Sequence, residues 1–523
     1  MEVRDIWNKY ERCKAFLDKK NLVSKTNKHW DFYLGDQWRS EDTKNENLPI
    51  MNMIKPVVKH KVATVCQNNT SVKYTDLQGR QELVKLYDNL STMFTACWEQ
   101  AKMDIHAWEI VKEAAIAGDS YAYFGTKDVK DIQLLSNMSV MLGDEQETEI
   151  QRQPYIIIRE RLHVNKIKEI ARANGIDETE IATIRPDEDK DYLINNKEDI
   201  DISGDDGKTT SLIYLEKKNG IVHVAKATRT CIYKPLTPIA QTKQGKEVGG
   251  LKLYPIVNFI WEDSPNSARG RGEVEGLIPN QIEVNKTLAR IGQSVKMTAF
   301  PRIAYDGNAI TNPEDLEKVG AAIEVQGAGA QSVNQMISYM QAAPMSSDAR
   351  VFLNDLMTQT RELAGASDSA LGQIDDPTRV AASALIAIRD QAALPMNEQV
   401  SKVKQLSEDL ARLWVEIWLT YNPEGFSFAH EINGAPVVIK ITKEELAKIE
   451  PDVKVDVSQD TTWTKQAEQT AADNLLNGGH ITFEEYVDIL PDDGVVPKAK
   501  AKAIIEKRKL LPPLPEVPPD EMS

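Results

Sequence analysis

The stretch GRGEVEGLIPNQIEVNKTLARIGQSVKMTAFPRIAYDG, from Gly270 to Gly307, constrains the fold more than any other part of the chain. Leu277, Val284, Leu288, Ile291 and Val295 recur at intervals of seven, four, three and four, the stripe of a helix that packs on other helices at a shallow angle. From Glu275 to Thr298 such a helix rises roughly 36 Å at about 1.5 Å per residue. Pro301 lacks the backbone donor another turn would need, and RIAY after it predicts a strand. The face away from the stripe carries Asn280, Glu283, Lys286, Arg290, Gln293 and Lys296.

A small α/β unit is expected next: a strand in PRIAYD, a helix in NPEDLEKVG with Pro313 and Glu314 near its start and Gly320 at its end, and a strand in AAIEVQ. SSDARVFLNDLMTQTRELAGAS then predicts a second long helix, with Val351, Leu356 and Leu363 near one side. Two antiparallel struts with a small unit at their tip leave apolar faces that one chain has little means of burying. Repeated round a ring, the copies would cover one another. The alternative for Glu275–Thr298 is an ordinary core helix.

Before this stretch the pattern changes once. Residues 1 to about 125 read as mainly helical: Ile6, Tyr10, Cys13 and Leu17 form one stripe, a helix begins at Pro56, and an interrupted helical region ends at Gly118. From about Asp119 to Ile260 the reading is strand. SYAYFG and PYIIIRE are short and rich in aromatic or β-branched residues, and Asn219-Gly220 marks a hairpin turn. A short helix, Val164 to Gly175, closes on its glycine. After the second strut, DSALGQIDDPTRV is a break, and helix resumes to about Thr420 with a kink expected at Pro395. Residues 426–463 read as a β-rich return, TKQAEQTAADNLLNGG and TFEEYVDIL as helices, and the end as a basic helix with a proline-rich tail. The fold class is α+β, and 523 residues exceed what one hydrophobic core holds.

Chemistry is harder to find. The seven histidines stand apart, without HExxH, HxH or a Cys/His group, so no zinc site is expected. There is no GxxxxGK[ST], no GxGxxG after a strand and no GxSxG, and the acidic run containing Asp201, Asp205 and Asp206 lacks the ligand alternation of an EF-hand loop. Asp375 with Asp376 reads as a pair of solvated loop carboxylates. No enzyme and no cofactor are expected. Cys13, Cys66, Cys97 and Cys231 are widely spaced and read as free thiols in a reducing compartment. The charged N-terminus lacks the apolar core of a secretory signal, and no apolar run reaches 18 residues, which predicts residence in the cytosol. With 63 basic and 79 acidic residues the formal charge is −16, the wrong sign for a tight phosphate-gripping DNA binder. Lys498, Lys500, Lys502, Lys507, Arg508 and Lys509 form the one concentrated basic patch, for which a solvated helix is one reading.

HWDFYLGDQW with LPIMNMIKPVVKHKVATV, then GRGEVEGLIPNQIEVNKTLARIG, then RELAGASDSALGQIDDPTRVAASALIAIRDQA, resemble in order the N-terminal part, the first stem helix, and the second stem helix with channel loop of tailed-bacteriophage portal proteins. The resemblance spans about residues 5 to 425. It implies a ring of usually twelve subunits at one capsid vertex, with a wing at 1–262, first stem helix at 263–299, clip at 300–338, second stem helix at 339–365 and channel loop at 366–381. A long helix and β-rich return to the wing would follow at 382–463, and crown and tail at 464–523. Glu283, Lys286, Arg290 and Lys296 would then face the channel or a neighbouring subunit, and Gly372, Gln373, Asp375, Asp376, Pro377 and Arg379 would form the channel loop. Implied partners are double-stranded DNA passing without sequence specificity, the terminase large subunit, a head-completion adaptor, and the major capsid and scaffolding proteins, and the basic patch from Lys498 to Lys509 would, if not simply solvated, contact packaged DNA or the inner capsid. The rival expectation is a non-channel scaffold or adaptor whose long helices pair as a coiled-coil dimer.

Overall fold

The fold is that of a computed structural model. It describes residues 2–38, 48–187, 207–326, 337–340, 348–365, 394–446, 449 and 454–489, apart from positions 68, 77–78, 127, 244–245, 300–301, 306, 309, 317–323, 433–434 and 461.

The chain opens with α1 (Val3–Lys19) and α2 (Leu22–Leu34), then α3 (Ile54–Cys66), β1 (Asn69–Thr75), α4 (Val84–Gln100) and α5 (Met103–Ala117). Lys102, at φ +52, is the break between the last two helices that the sequence pattern anticipates. Next come β2 (Asp119–Phe124), β3 (Ile132–Ser136), β4 (Val140–Leu142), β5 (Tyr155–His163), α6 (Val164–Ala173) and α7 (Glu178–Ile181). β6 (Lys208–Lys218) and β7 (Ile221–Ala227) form the expected hairpin, pairing Lys218 with Ile221, and Asn219 and Gly220 both have positive φ as a two-residue turn of this kind requires. β8 (Ile232–Pro238), β9 (Ala240–Lys243), β10 (Lys246–Gly250) and β11 (Ile256–Ile260) complete this part.

Two antiparallel sheets organise it: β11-β2-β3, and the five-stranded β4-β5-β6-β7-β8. The larger one is covered on both faces. Ile156, Ile158, Ile213 and Leu215 face Tyr121, Tyr123 and Leu135, while Ile157, Leu212 and Tyr214 face Ile6, Tyr10, Cys13 and Leu17 of α1. A strand buried on both sides has no polar alternation, which is why PYIIIRE reads as a continuous apolar run. The α1 stripe is buried at all four positions, at 0%, 1%, 6% and 1% exposure.

The helical core gathers on Trp414, whose ring lies 4.9 Å from Phe94 and 6.3 Å from Phe124. Trp414 belongs to α10 (Asn397–Tyr421), which follows α8 (Glu273–Ala299), β12 (Arg302–Tyr305), β13 (Ile337–Met340) and α9 (Asp348–Leu363). After α10 come β14 (Gly425–Ile432), β15 (Ala435–Thr442), α11 (Lys443–Leu446), β16 (Lys454–Asp460), α12 (Thr462–Asn477) and α13 (Phe483–Ile489).

Several expectations change. β1 interrupts the region read as mainly helical, and it pairs antiparallel with β16, Asn69 with Asp460 through Thr75 with Lys454, tying residues from opposite ends of the chain. Val72 and Tyr74 are buried and alternate with exposed Lys73, a short strand signal that the flanking helical patterns hide. β12 pairs with β13, Arg302 with Met340, and of AAIEVQ the described residues 324–326 contribute a bridge from Val325 to Ile310. Of the helix expected in NPEDLEKVG, Pro313–Asp315 is described and is a 3-10 turn, while residues 317–320 lie outside the described part. Pro395 lies in a 3-10 turn, Leu394–Met396, directly before α10, and residues 366–393, on the other side of the expected kink, lie outside the described part. The four cysteines are free thiols. Residues 188–206, with Asp201, Asp205 and Asp206, lie outside the described part.

Candidate functional site

The pair α8 and α9, with β12 and β13 beyond it, is rooted in the body by backbone contact, charge and buried amides. Gly118 and Gly270 meet so closely that a Cβ built on Gly270 would lie 2.4 Å from the Gly118 oxygen, and one on Gly118, at φ +111, would lie 2.5 Å from the Gly270 oxygen. This is what the glycines of GRG accomplish. They let the chain entering α8 lie against the end of α5.

One residue before Gly270, the Arg269 guanidinium is buried. It donates to both oxygens of Glu145 at 2.9 Å, to the Val140 carbonyl at 2.7 Å, to the Asn137 carbonyl at 3.0 Å and to Asp119 Oδ2 at 3.3 Å. Asp119 also accepts from the Tyr121 hydroxyl at 2.8 Å and from Asn137 Nδ2 at 3.2 Å. Burial pushes the Asp119 carboxyl above its ordinary range although Arg269 pulls the other way. Burial also opposes the charge of Arg269, but Tyr121, Glu145 and Asp119 around it outweigh that and it stays protonated.

At the start of α8, Glu273 pairs with Lys61 of α3 at 2.7 Å, and Glu275 approaches Lys25 of α2 at 3.8 Å. Acidic side chains here complement the positive end of the helix. Pro279 stands inside α8 and removes the donor that the Glu275 carbonyl would otherwise receive. One turn on, Gln281 and Asn285, 0% and 2% exposed, hold the irregular segment before α3. Met53 N donates to Gln281 Oε1 at 2.9 Å, Gln281 Nε2 to the Met51 carbonyl at 2.7 Å, and Met51 N to Asn285 Oδ1 at 3.2 Å. Asn285 Nδ2 donates to Gln37 Oε1. The segment thus satisfies in the side chains of α8 the backbone groups that a strand would have paired.

α8 and α9 pack antiparallel. Asn280 Nδ2 donates to Thr360 Oγ1 at 3.0 Å, and further along, Val284 and Leu353 with Met53 form an apolar cluster joined by Leu288, Ile291, Leu356 and Met357. Burial then falls away. Val284 is 0% exposed, Leu288 and Ile291 are half-buried, and Val295 and Met297 reach 50% and 57%. The stripe is therefore buried in its first half and open in its second. On α9 the buried positions are Leu353 and Thr360, while Val351, Phe352 and Leu363 are 56%, 51% and 85% exposed. The expected grouping of Val351 and Leu363 with Leu356 is replaced by a face through Leu353, Leu356, Met357 and Thr360, at the three-and-four spacing that faces one neighbouring helix.

Of the polar-face residues, Arg290 Nη1 lies 3.5 Å from Glu283 Oε1 of the same helix, with side chains 70% and 45% exposed. Lys286 is half-buried and Lys296 exposed. Gly372, Gln373, Asp375, Asp376, Pro377 and Arg379 lie outside the described residues, as do Lys498, Lys500, Lys502, Lys507, Arg508 and Lys509. Among the described residues no group of three or more His, Cys, Asp or Glu could hold a metal ion, and no helix is long and apolar enough to cross a membrane. Sequence reasoning missed Arg269, Gln281 and Asn285. The signal it could have used is two amides four residues apart beside the apolar stripe, where a surface helix would carry charge.

Comparison with known proteins gives one family match, described as phage portal protein, SPP1 Gp6-like, over residues 7–442. No curated protein matches the chain. A solved structure titled "Neck of empty GTA particle computed with C6 symmetry" is similar at 11% identity, covering 83% of this chain and 89% of that one, with a TM-score of 0.36.

Proposed function

The chain belongs to the SPP1 Gp6-like phage portal proteins, and from that premise we propose that its copies close into a ring, of twelve subunits in the virion, through which double-stranded DNA passes during packaging and ejection. As a phage portal protein it is part of the capsid machinery and of the virion, and it acts as a structural component, not an enzyme. In this reading the antiparallel helices are the stem, the unit carrying β12 and β13 is the clip, residues 1–262 form the wing, and residues 464–523 contribute the crown and tail. The observation that carries the reading is the outer half of the helix pair. Val295, Met297, Val351 and Phe352 are each at least half exposed, on helices whose inner halves pack normally. Neighbouring copies would remove that apolar area from water, at about 25 cal/mol per Å².

The acidic balance suits conduction. DNA presents about one charge per 1.7 Å of axis, so a wall rich in lysine would bind it and slow it. Lys286, Arg290 and Lys296 would either be neutralised between subunits by carboxylates such as Glu283, which lies beside Arg290, or form sparse rings that track the backbone. The clip would dock the terminase large subunit and later a head-completion adaptor, the channel loop at 366–381 would form the narrowest passage, and the ring would help start assembly with scaffolding and major capsid proteins. The test is particle assembly with Lys286→Glu, Arg290→Glu and Lys296→Glu together. The reading expects intact rings with altered rates of packaging or ejection; intact rings with normal rates would remove these residues from conduction.

A further inference from the structure

Between the large sheet, the end of β2 and the last turn of α10 lies a cavity of about 170 Å³ lined by Tyr123, Thr126, Lys226, Lys234 and Tyr421 among others. Lys226 on β7 and Lys234 on β8 are register partners, so both side chains leave the same face of the sheet. Both are half-buried. The nearest carboxylate to Lys226 is Glu160, at 3.9 Å, too far for a hydrogen bond and already accepting from Ser211 Oγ at 3.4 Å. The Lys234 side chain has no hydrogen bond or ion pair among the described residues. Burial lowers its affinity for a proton, and so does Lys226; no carboxylate opposes them. Among the described residues, two ammonium groups and one carboxylate leave this partly dry pocket one negative charge short.

We propose that the cavity is an oxyanion site, in which the Lys226 and Lys234 ammonium groups together hold a tetrahedral phosphate. A phosphate offers several strong acceptors to two converging donors, whereas the single charge of chloride is diffuse and weakly directional. The volume admits one such group with accompanying water, so the ligand is inorganic phosphate or a terminal phosphoryl group. The site lies in the sheet-bearing body and not on the helix pair, so it stands or falls independently of the channel reading.

The test is thermal melting of the full chain in phosphate against chloride at matched ionic strength and neutral pH, with acetate as a second comparison. Phosphate is expected to raise the midpoint by about 1–3 °C in a saturable manner. The rise should vanish in Lys234→Met, which should itself melt higher than the unmodified chain in chloride because an uncompensated charge has gone. Equal midpoints in phosphate and chloride, an equal rise in acetate, or a rise retained in Lys234→Met would overturn the site. Should Lys234→Met fail to fold, calorimetric titration of the unmodified protein with inorganic phosphate decides: saturable heat at one site per chain supports the proposal, and heat that follows ionic strength alone refutes it.

Discussion

Arg269 and Glu145 meet side by side, with Nε and Nη2 of the guanidinium donating at 2.9 Å to the two oxygens of one carboxylate, and both side chains nearly excluded from solvent. The pair sits where the chain leaves the sheets for α8, four residues before that helix begins. Its geometry is specific, and the energetic weight lies in what remains when one partner is lost.

Removing Arg269 would strand Asp119 and Glu145 in a buried site. Arg269→Met is therefore expected to destabilise the protein by about 3–5 kcal/mol, the usual result of breaking a buried pair from one side. Chemical denaturation of the variant beside the unmodified chain measures it; a loss under about 1 kcal/mol would mean that water replaces the guanidinium.

Gln281 is the second anchor. Gln281→Leu keeps the volume but leaves Met53 N and the Met51 carbonyl without their partners at 2.9 and 2.7 Å. A cost of about 1–3 kcal/mol per orphaned buried group is expected, together with faster hydrogen exchange at residues 51–53. Unchanged exchange there would show that the segment is held by other contacts.

His29 gives the pH dependence. Burial pushes its imidazole below the ordinary 6.5, although Glu275 and the Ile116 carbonyl pull upward. Below about pH 6.5 the unfolded chain takes up a proton that the folded chain refuses, so stability falls as pH drops through 6.5 toward the folded value and is level above it. His29→Gln should flatten the melting midpoint as the pH falls below about 6.5. An unchanged slope in that window would assign the acid sensitivity to carboxylates instead.

What the sequence disclosed and what it hid divide along physical lines. α1 was legible because Ile6, Tyr10, Cys13 and Leu17 pack on a single surface, so period and burial coincide. The hairpin at Asn219-Gly220 was legible because two consecutive positive φ values demand particular residues. The β1 and β16 pairing was not, since strands nearly 400 residues apart, 69–75 and 454–460, carry no mark of each other. On α8 the stripe from Leu277 to Val295 is legible but the end of its partner within the chain is not, because periodicity reports which residues share a side and not where along the helix the partner stops. The polar anchors Arg269, Gln281 and Asn285 were invisible for a related reason: a buried amide or guanidinium is recognised by its partners, which lie in distant segments.

Phe352 tests the apolar outer face. Phe352→Glu leaves the buried contacts of Leu353 and Thr360 in place, so the chain should keep its helical circular dichroism while its assembly weakens to single chains or open arcs. Assembly indistinguishable from the unmodified protein would put Phe352 outside the contact between copies.

The most direct measurement is the native mass of the purified protein beside electron-microscope images viewed down the particle axis. The account predicts a closed ring of about twelve chains of 58.6 kDa with a stain-filled central opening. A lone chain, or a compact pair without an opening, would contradict it.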